Sequence, residues 1–351
     1  MSLLAEIPIP ADLAARYSRS SAGRAWLVSL PGLLRGCLER WNLTVDLAPG
    51  AVPWNGQGGI VVPVLLDSGL PAVLKVSYPQ EEARLERNAL MLWNGRGAVR
   101  LLESDAGTCA MLLERLDASR SLGDVPVDKA AAVWGGLMRQ LSLTPDDRFE
   151  WLELDHVAAR AEQWSDDLPV EWEQLGRPFP RWLLEAALEV CQTRGAVGRR
   201  ASNDVLVHSD FHFLNVLARL DGSWDELGSS DEFGASDGFA AIAPQPLVGE
   251  AEFAVAPLLW NRISELSPRD PETALRERCL NFSLAAGLDP EVARQWSVAR
   301  EVENALWYAG HPNYSGDLAR SLWVASTLAG RTLDGLPPAH ALPEPGLGAF
   351  S

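Results

Sequence analysis

Lysine is nearly missing from this 351-residue chain: of 30 basic residues only Lys75 and Lys129 are lysines, and the rest are arginines. Positive charge as a whole is short, because 30 Lys+Arg stand against 47 Asp+Glu for a formal net charge of −17. Such a surface does not neutralise phosphate backbones or anionic headgroups, which argues against nucleic-acid and membrane partners. A cationic or neutral small molecule suits the balance better. Cysteine is sparse as well, and Cys37, Cys109, Cys191 and Cys279 form no CxxC pair. Neither a zinc site nor a disulfide framework is indicated, and reduced core positions are expected. No run of about 18 uncharged apolar residues occurs, and no repeat of about 20 to 50 residues is visible. The first ten residues lack the charged start and apolar stretch of a signal peptide. The expected compartment is the cytoplasm, and the expected state a monomer or homodimer.

Hydrophobic residues make up 47% of the chain, enough to bury one large domain or two lobes. Residues 11 to 41 carry apolar residues at helical spacing, interrupted at 18 to 23 and at Pro31-Gly32, which predicts two short helices in a leader over 1–42. From Leu43 the texture changes to short apolar and β-branched runs. Strands are expected at 43–47, 60–66 and 72–76, with Asp67-Ser-Gly-Leu-Pro as a hairpin loop. A helix over 81–93 and strands at 98–103 and 109–114 complete a region spanning 43–115. The remainder, 116–335, reads as mainly helical: 128–143, 152–164, 181–194, 250–266, 271–286, 290–309 and 317–328, with strand-like pieces at 205–207, 216–218 and 239–242. Strands followed by helices predict an α+β chain. The Gly-, Ser- and acid-rich stretch 228–238 and the Pro/Gly-rich tail 336–351 are expected to be mobile.

The segment richest in chemistry is Val207-His-Ser-Asp-Phe-His-Phe-Leu-Asn-Val-Leu, which sets His208, Asp210, His212 and Asn215 between two apolar pieces. An Asp followed five residues later by Asn suits a phosphotransfer loop, in which the carboxylate deprotonates an attacking hydroxyl and the amide oxygen ligates Mg²⁺. The segment resembles the H-G-D-x-H-x-x-N loop of the aminoglycoside phosphotransferases, relatives of the protein kinases. Phe239-Ala-Ala-Ile-Ala-Pro-Gln-Pro-Leu-Val-Gly-Glu-Ala-Glu-Phe-Ala-Val-Ala-Pro is similar to the family segment I-D-P-x-P-x-x-G-D-P-x-F-D-x-A-P, most closely in the branch of streptomycin 6-kinases and hydroxyurea phosphotransferases. Leu13-Ala-Ala-Arg-Tyr, Gly23-Arg-Ala-Trp and the run from Glu82 to Leu102 look like the same branch, so the likeness covers roughly residues 10 to 330.

The resemblance implies a two-lobed protein-kinase-like fold, an antiparallel-sheet N-lobe and a mainly helical C-lobe with the nucleotide between them, using ATP (or GTP) and Mg²⁺. Asp210 would be the base and Asn215 a metal ligand. Lys75, a cation in a half-buried strand, would hold the α/β-phosphates and pair with Glu86, or with Glu82 one turn earlier. Gly56 and Gly58, in Asn55-Gly-Gln-Gly-Gly, would lie over the phosphates, although an ordinary turn reads equally well. Glu114 and Leu116 would meet adenine through main-chain atoms. His208 and His212 are expected to brace the loop. Trp164, Trp172, Trp260 and Trp307, near acids such as Asp166, Asp167 and Glu171, suit either a cleft for a polycation or ordinary burial.

One position departs from the pattern. Where the family carries the Asp that bridges Mg²⁺ and the phosphates, this chain has Ala243, and an alanine side chain offers no oxygen. Glu250 and Ala254 also replace acids of the pattern, at positions that look structural. Three readings of Ala243 stay open: an introduced replacement of a native Asp, compensation by Asp237 or Glu250, or a pseudokinase that binds without transfer. The expected function is phosphorylation of a hydroxyl on an antibiotic-like small molecule of the aminoglycoside or aminocyclitol type. The alternative is an inactive pseudokinase that sequesters a ligand or regulates a partner.

Overall fold

A computed structural model describes residues 7–56, 58–197, 203–220 and 238–345. The chain divides into two compact units, Met1–Ser119 with Ala218–Glu232 and Arg120–Leu217 with Phe233–Ser351.

The first unit opens with helices α1 (Ala11–Tyr17) and α2 (Ser21–Arg40). Strands β1 (Thr44–Val45), β2 (Trp54–Asn55), β3 (Gly59–Leu65) and β4 (Pro71–Ser77) follow, then helix α3 (Glu81–Trp93) and strands β5 (Leu101–Asp105) and β6 (Ala110–Glu114). The sheet runs β1-β3-β4-β6-β5, with β2 paired to β3, and the paired strands are antiparallel. Alternation along β3 and β4 sorts their side chains onto two faces. Ile60, Val62, Val64, Ala72, Leu74 and Val76 share one core with Leu13, Trp26, Leu30 and Leu34 of the leader helices. Lys75 therefore points to the opposite face, the one α3 approaches with Glu86.

The break expected at Pro31-Gly32 does not occur, since α2 runs unbroken through Pro31. A proline forfeits one intrahelical bond, and here the buried stripe Leu30, Leu34, Cys37 and Leu38 outweighs that loss. Strand β2 was absent from the expected set, because two residues carry no readable alternation.

Strand β7 (Leu116–Ser121) spans the division. The second unit holds α4 (Val127–Leu141), α5 (Val157–Gln174), α6 (Arg181–Val197), β8 (Val205–His208), β9 (Val216–Arg219), β10 (Phe239–Ala241), β11 (Pro246–Gly249), α7 (Ala256–Leu259), α8 (Pro271–Ala286), α9 (Pro290–Ala309) and α10 (Ser315–Leu328). Strands β8 and β11 pair antiparallel with His208 opposite Pro246. Helices α8 and α9 begin as their sequences dictate: Asp270 and Asp289 cap free N–H groups, and Pro271 and Pro290 occupy the first turn.

The single helix expected over 250–266 is instead a 3₁₀ turn, the four-residue α7 and a second 3₁₀ turn. Arg262, with φ 55°, stops the helical path there. Helix α5 starts at Val157 rather than at 152, after a 3₁₀ turn at Phe149–Glu153. The tail through 345 is packed rather than loose: Ala339 and Leu342 are buried, Arg320 donates to the Pro343 carbonyl at 2.9 Å, and Glu344 accepts from Arg262 N–H and Ser264 Oγ. Gly228 to Asp237 lies outside the described residues. Cys37, Cys191 and Cys279 are buried as free thiols, and Cys109 is half-buried.

Close approach of α4 to α8 fixes Gly135, where an added Cβ would sit 2.4 Å from the Ala285 carbonyl oxygen. Gly135→Ala is expected to cost about 2 kcal/mol by overpacking. Gly36→Ala, facing open space in α2, should instead gain about 0.5–1 kcal/mol. Thermal denaturation of the two variants checks both signs.

Candidate active site

Strand β8 delivers its last residue, His208, into full burial, and the following loop is built around that ring. The Asp210 N–H donates to His208 Nδ1 at 3.3 Å, so the ring proton sits on Nε2, which donates to the Ile242 carbonyl at 3.0 Å. Burial pushes the His208 imidazole down to about 4, against the pull of Asp210. The ring is neutral near pH 7, a strut rather than a base. Phe211 stacks on it at 5.2 Å, Trp134 stacks on Phe211 at 5.0 Å, and Trp134 Nε1 donates to the Phe211 carbonyl.

Asp210 itself stays reachable, its side chain 30% exposed. Asn215 Nδ2 donates to the Asp210 backbone carbonyl at 2.8 Å and to its carboxylate at 3.0 Å. That commitment of the NH₂ group leaves Oδ1 as the acceptor end of the amide. His212 places Nε2 3.7 Å from the Asp210 carboxylate, while its Nδ1 accepts from Leu214 N–H at 3.1 Å. Burial lowers the His212 pKa, with Asp210 opposing.

Ala243 follows β10 directly after Ile242, whose N–H is bonded to the Asn215 carbonyl. Its φ is 50°, a left-handed conformation that costs an alanine roughly 1–2 kcal/mol and that Asp and Asn adopt more readily. Glu250 does not stand in for a missing ligand: one oxygen accepts from Trp296 Nε1 at 2.7 Å and the other pairs with Arg194 at 3.4 Å. Asp237 lies outside the described residues. Among the described residues no group of three or more His, Cys, Asp or Glu side chains is arranged to hold a metal.

In the first unit, Lys75 Nζ donates to both Glu86 oxygens, at 2.6 and 2.7 Å, and both side chains are largely buried. Glu82 is not the partner. Desolvating two charges returns little net stability, so a pair in this place reads as a tool rather than a staple. Gly56 and Gly58 lie in the β2–β3 turn, closed by the Gly56 N–H on the Gly59 carbonyl at 3.1 Å. Gly59 is compulsory, since a Cβ there would meet the Val76 carbonyl at 2.3 Å.

Glu114 ends β6 with its N–H already bonded to the Arg100 carbonyl at 3.0 Å, so that N–H is not available to a base. Its buried carboxylate, whose chemistry the sequence did not suggest, accepts from Arg100 N–H and from Arg219. Leu116 opens β7 and is buried.

Sequence reading missed Arg300, on α9. Its guanidinium lies over Phe253 at 4.5 Å and Trp260 at 5.4 Å and donates to the Phe253 carbonyl at 3.0 Å. Burial pushes it down to about 10, and Asp210 is the strongest carboxylate holding it charged. No local motif announces such a residue. Of the four tryptophans considered, Trp172 is core, donating to the Phe179 carbonyl, Trp164 stacks on Phe253, and Trp307 is 47% exposed against His311.

A strand-rich unit with a Lys–Glu pair and a helical unit with an Asp-x4-Asn loop define a kinase-like phosphotransferase fold. An ethanolamine kinase from Plasmodium vivax shares it at a TM-score of 0.53 and 12% identity, over 82% of this chain and 81% of that one. The family model for aminoglycoside/hydroxyurea antibiotic resistance kinases matches residues 40–311, and the chain belongs to that family. It is 36% identical to a streptomycin 6-kinase of Streptomyces glaucescens over 87% of this chain and 92% of the relative. It is 35% identical to a hydroxyurea phosphotransferase of Kitasatospora aureofaciens over 93% and 87%. Over the described residues, no helix is long and apolar enough to cross a membrane.

His208 makes a pH prediction. A neutral buried imidazole is charged sooner in the unfolded chain, so its contribution is complete above pH 6.5 and is lost as pH falls toward 4. The full window is worth about 3 kcal/mol. Denaturant unfolding at pH 7 and pH 4.5 should show a shallower acid loss in His208→Gln than in the unaltered chain.

Proposed function

We propose that this protein transfers the γ-phosphoryl group of ATP to a hydroxyl of a small antibiotic-like molecule of the aminocyclitol type. The observation that carries the reading is the Asp210 carboxylate, reachable and oriented by Asn215 on a loop braced by a neutral histidine. Relatives named for streptomycin support the aminocyclitol acceptor, and one named for hydroxyurea supports only a small antibiotic-like acceptor. In this reading Asp210 takes the proton of the attacking hydroxyl as its oxygen bonds to the γ-phosphorus and the bond to the leaving ADP oxygen breaks. Lys75, fixed by Glu86, neutralises α/β-phosphate charge. The Gly56–Gly58 turn covers the phosphates, and main-chain atoms between Glu114 and Leu116, other than the committed Glu114 N–H, meet the base. Positioning and electrostatics supply most of the acceleration, because a loose phosphoryl transition state needs little covalent help.

The phosphate end of the nucleotide suits the Lys75–Glu86 pair. Mg²⁺ suits the chain less well: Asn215 Oδ1 is one amide oxygen, Ala243 supplies none, and Glu250 is engaged with Trp296 and Arg194. Ala243 also favours a second reading, a pseudokinase that binds nucleotide or acceptor without transfer.

Asp210→Asn and Lys75→Met separate these readings. Transfer of labelled phosphate from ATP to a streptomycin-like panel should fall about a thousandfold in Asp210→Asn, with ATP affinity kept. Lys75→Met should lose ATP affinity. Transfer unchanged in Asp210→Asn contradicts the assigned base, and no transfer by the unaltered chain selects the second reading.

A further inference from the structure

The glycine-bearing turn between β2 and β3 is held from outside the sheet. Asn55 Nδ2 donates to Asp12 Oδ2 at 2.5 Å, and Arg16 donates from a terminal guanidinium nitrogen to the Gly56 carbonyl at 2.8 Å. Asp12 and Arg16 stand one turn apart on α1 and face each other at 3.9 Å. The hydrogen bond from Asn55 holds the Asp12 carboxyl below its usual range, which favours its ionised form. The neighbouring face of α1 fixes the helix to the body of the unit. Leu13 is fully buried, and Tyr17 packs on Tyr78 at 4.8 Å and on Trp26 at 4.8 Å. Tyr78 N–H in turn donates to the Gly58 carbonyl at 2.8 Å, at the base of the same turn. One short helix thus grips the turn at two places near its tip and, through the aromatic stack, at its stem.

We propose that Asp12 and Arg16 are positioning residues for nucleotide binding, a clasp that holds the β2–β3 turn in its phosphate-covering conformation before ATP arrives. The inference rests on the reading that this turn covers nucleotide phosphates. Glycines lose more conformational freedom on ordering than other residues, and a turn carrying Gly56, Gly58 and Gly59 would otherwise pay that cost when ligand binds. Tethering it in the free protein moves the cost into folding and tightens binding without touching the reacting atoms. The bonds that make the clasp join α1 to Asn55 and the Gly56 carbonyl, so its expected effect is on nucleotide affinity.

The test measures ATP affinity by calorimetry, with and without Mg²⁺, and amide hydrogen exchange at residues 56 and 58–60, in Asp12→Ala, Arg16→Ala, the double variant and Arg16→Lys. Substitution of the exposed Asp12 and the half-buried Arg16 leaves Leu13 and Tyr17 in place, and melting temperature checks that α1 stays docked. The double variant is expected to weaken ATP binding about fivefold and to speed exchange in the turn of the free protein, while Arg16→Lys, which keeps a donor, recovers most of both. Where turnover is measurable, KM for ATP rises and kcat stays. Unchanged ATP affinity in a double variant that melts normally, or exchange no faster in the turn, overturns the clasp. If the unaltered chain binds no ATP, the phosphotransfer reading fails, and the role proposed for the clasp in nucleotide binding falls with it; unchanged exchange in the double variant would then also rule out the tether.

Discussion

A neutral histidine sealed inside the second unit is the constraint on which the candidate site depends. His208 cannot take a second proton without breaking the bond that its Nδ1 accepts from Asp210 N–H, and the ring is held in the Phe211–Trp134 stack. Its other nitrogen reaches the Ile242 carbonyl, so one ring ties the loop bearing Asp210 to the segment bearing Ala243. Asn215 repeats the tie with its side chain on Asp210 and its carbonyl on the Ile242 N–H. The position of Asp210 is therefore set in large part by a neutral ring and an amide.

Charge is handled in the same way elsewhere. Lys75 is balanced by Glu86, Arg219 by Glu114, and Arg300 by two aromatic faces, a carbonyl and the field of Asp210. Each cation is fixed before any ligand binds, which suits a reaction whose catalysis is mainly preorganised charge.

The sequence was most legible where local chemistry and packing agreed. Helices α3, α8 and α9 were read with the bounds they have, because an apolar stripe coincides with Pro or acidic residues in the first turn. Lys75 stood out by scarcity and Glu86 by helical spacing. The misses share a cause: they are decided by tertiary contacts or by single backbone conformations. Apolar spacing over 250–266 suggested one helix, but the left-handed Arg262 and the short α7 break it. Strand β11 is defined by its pairing with β8, and Arg300 gains its meaning from Phe253 and Trp260. The role proposed for Asp12 and Arg16 was equally hidden, because nothing in α1 reveals that the segment 40 to 43 residues downstream folds back onto it.

Ala243 concentrates the remaining question. Its left-handed backbone is one that an aspartate adopts more easily than an alanine, and it adjoins the residue tied to both His208 and Asn215. The most direct measurement is calorimetric titration of ATP, with and without Mg²⁺, into the unaltered protein and Ala243→Asp. The account predicts that Mg²⁺ tightens ATP binding about tenfold or more in Ala243→Asp and much less in the unaltered chain. An equal Mg²⁺ effect in both, or none in Ala243→Asp, would contradict the reading that Ala243 stands where a metal-ligand carboxylate is missing.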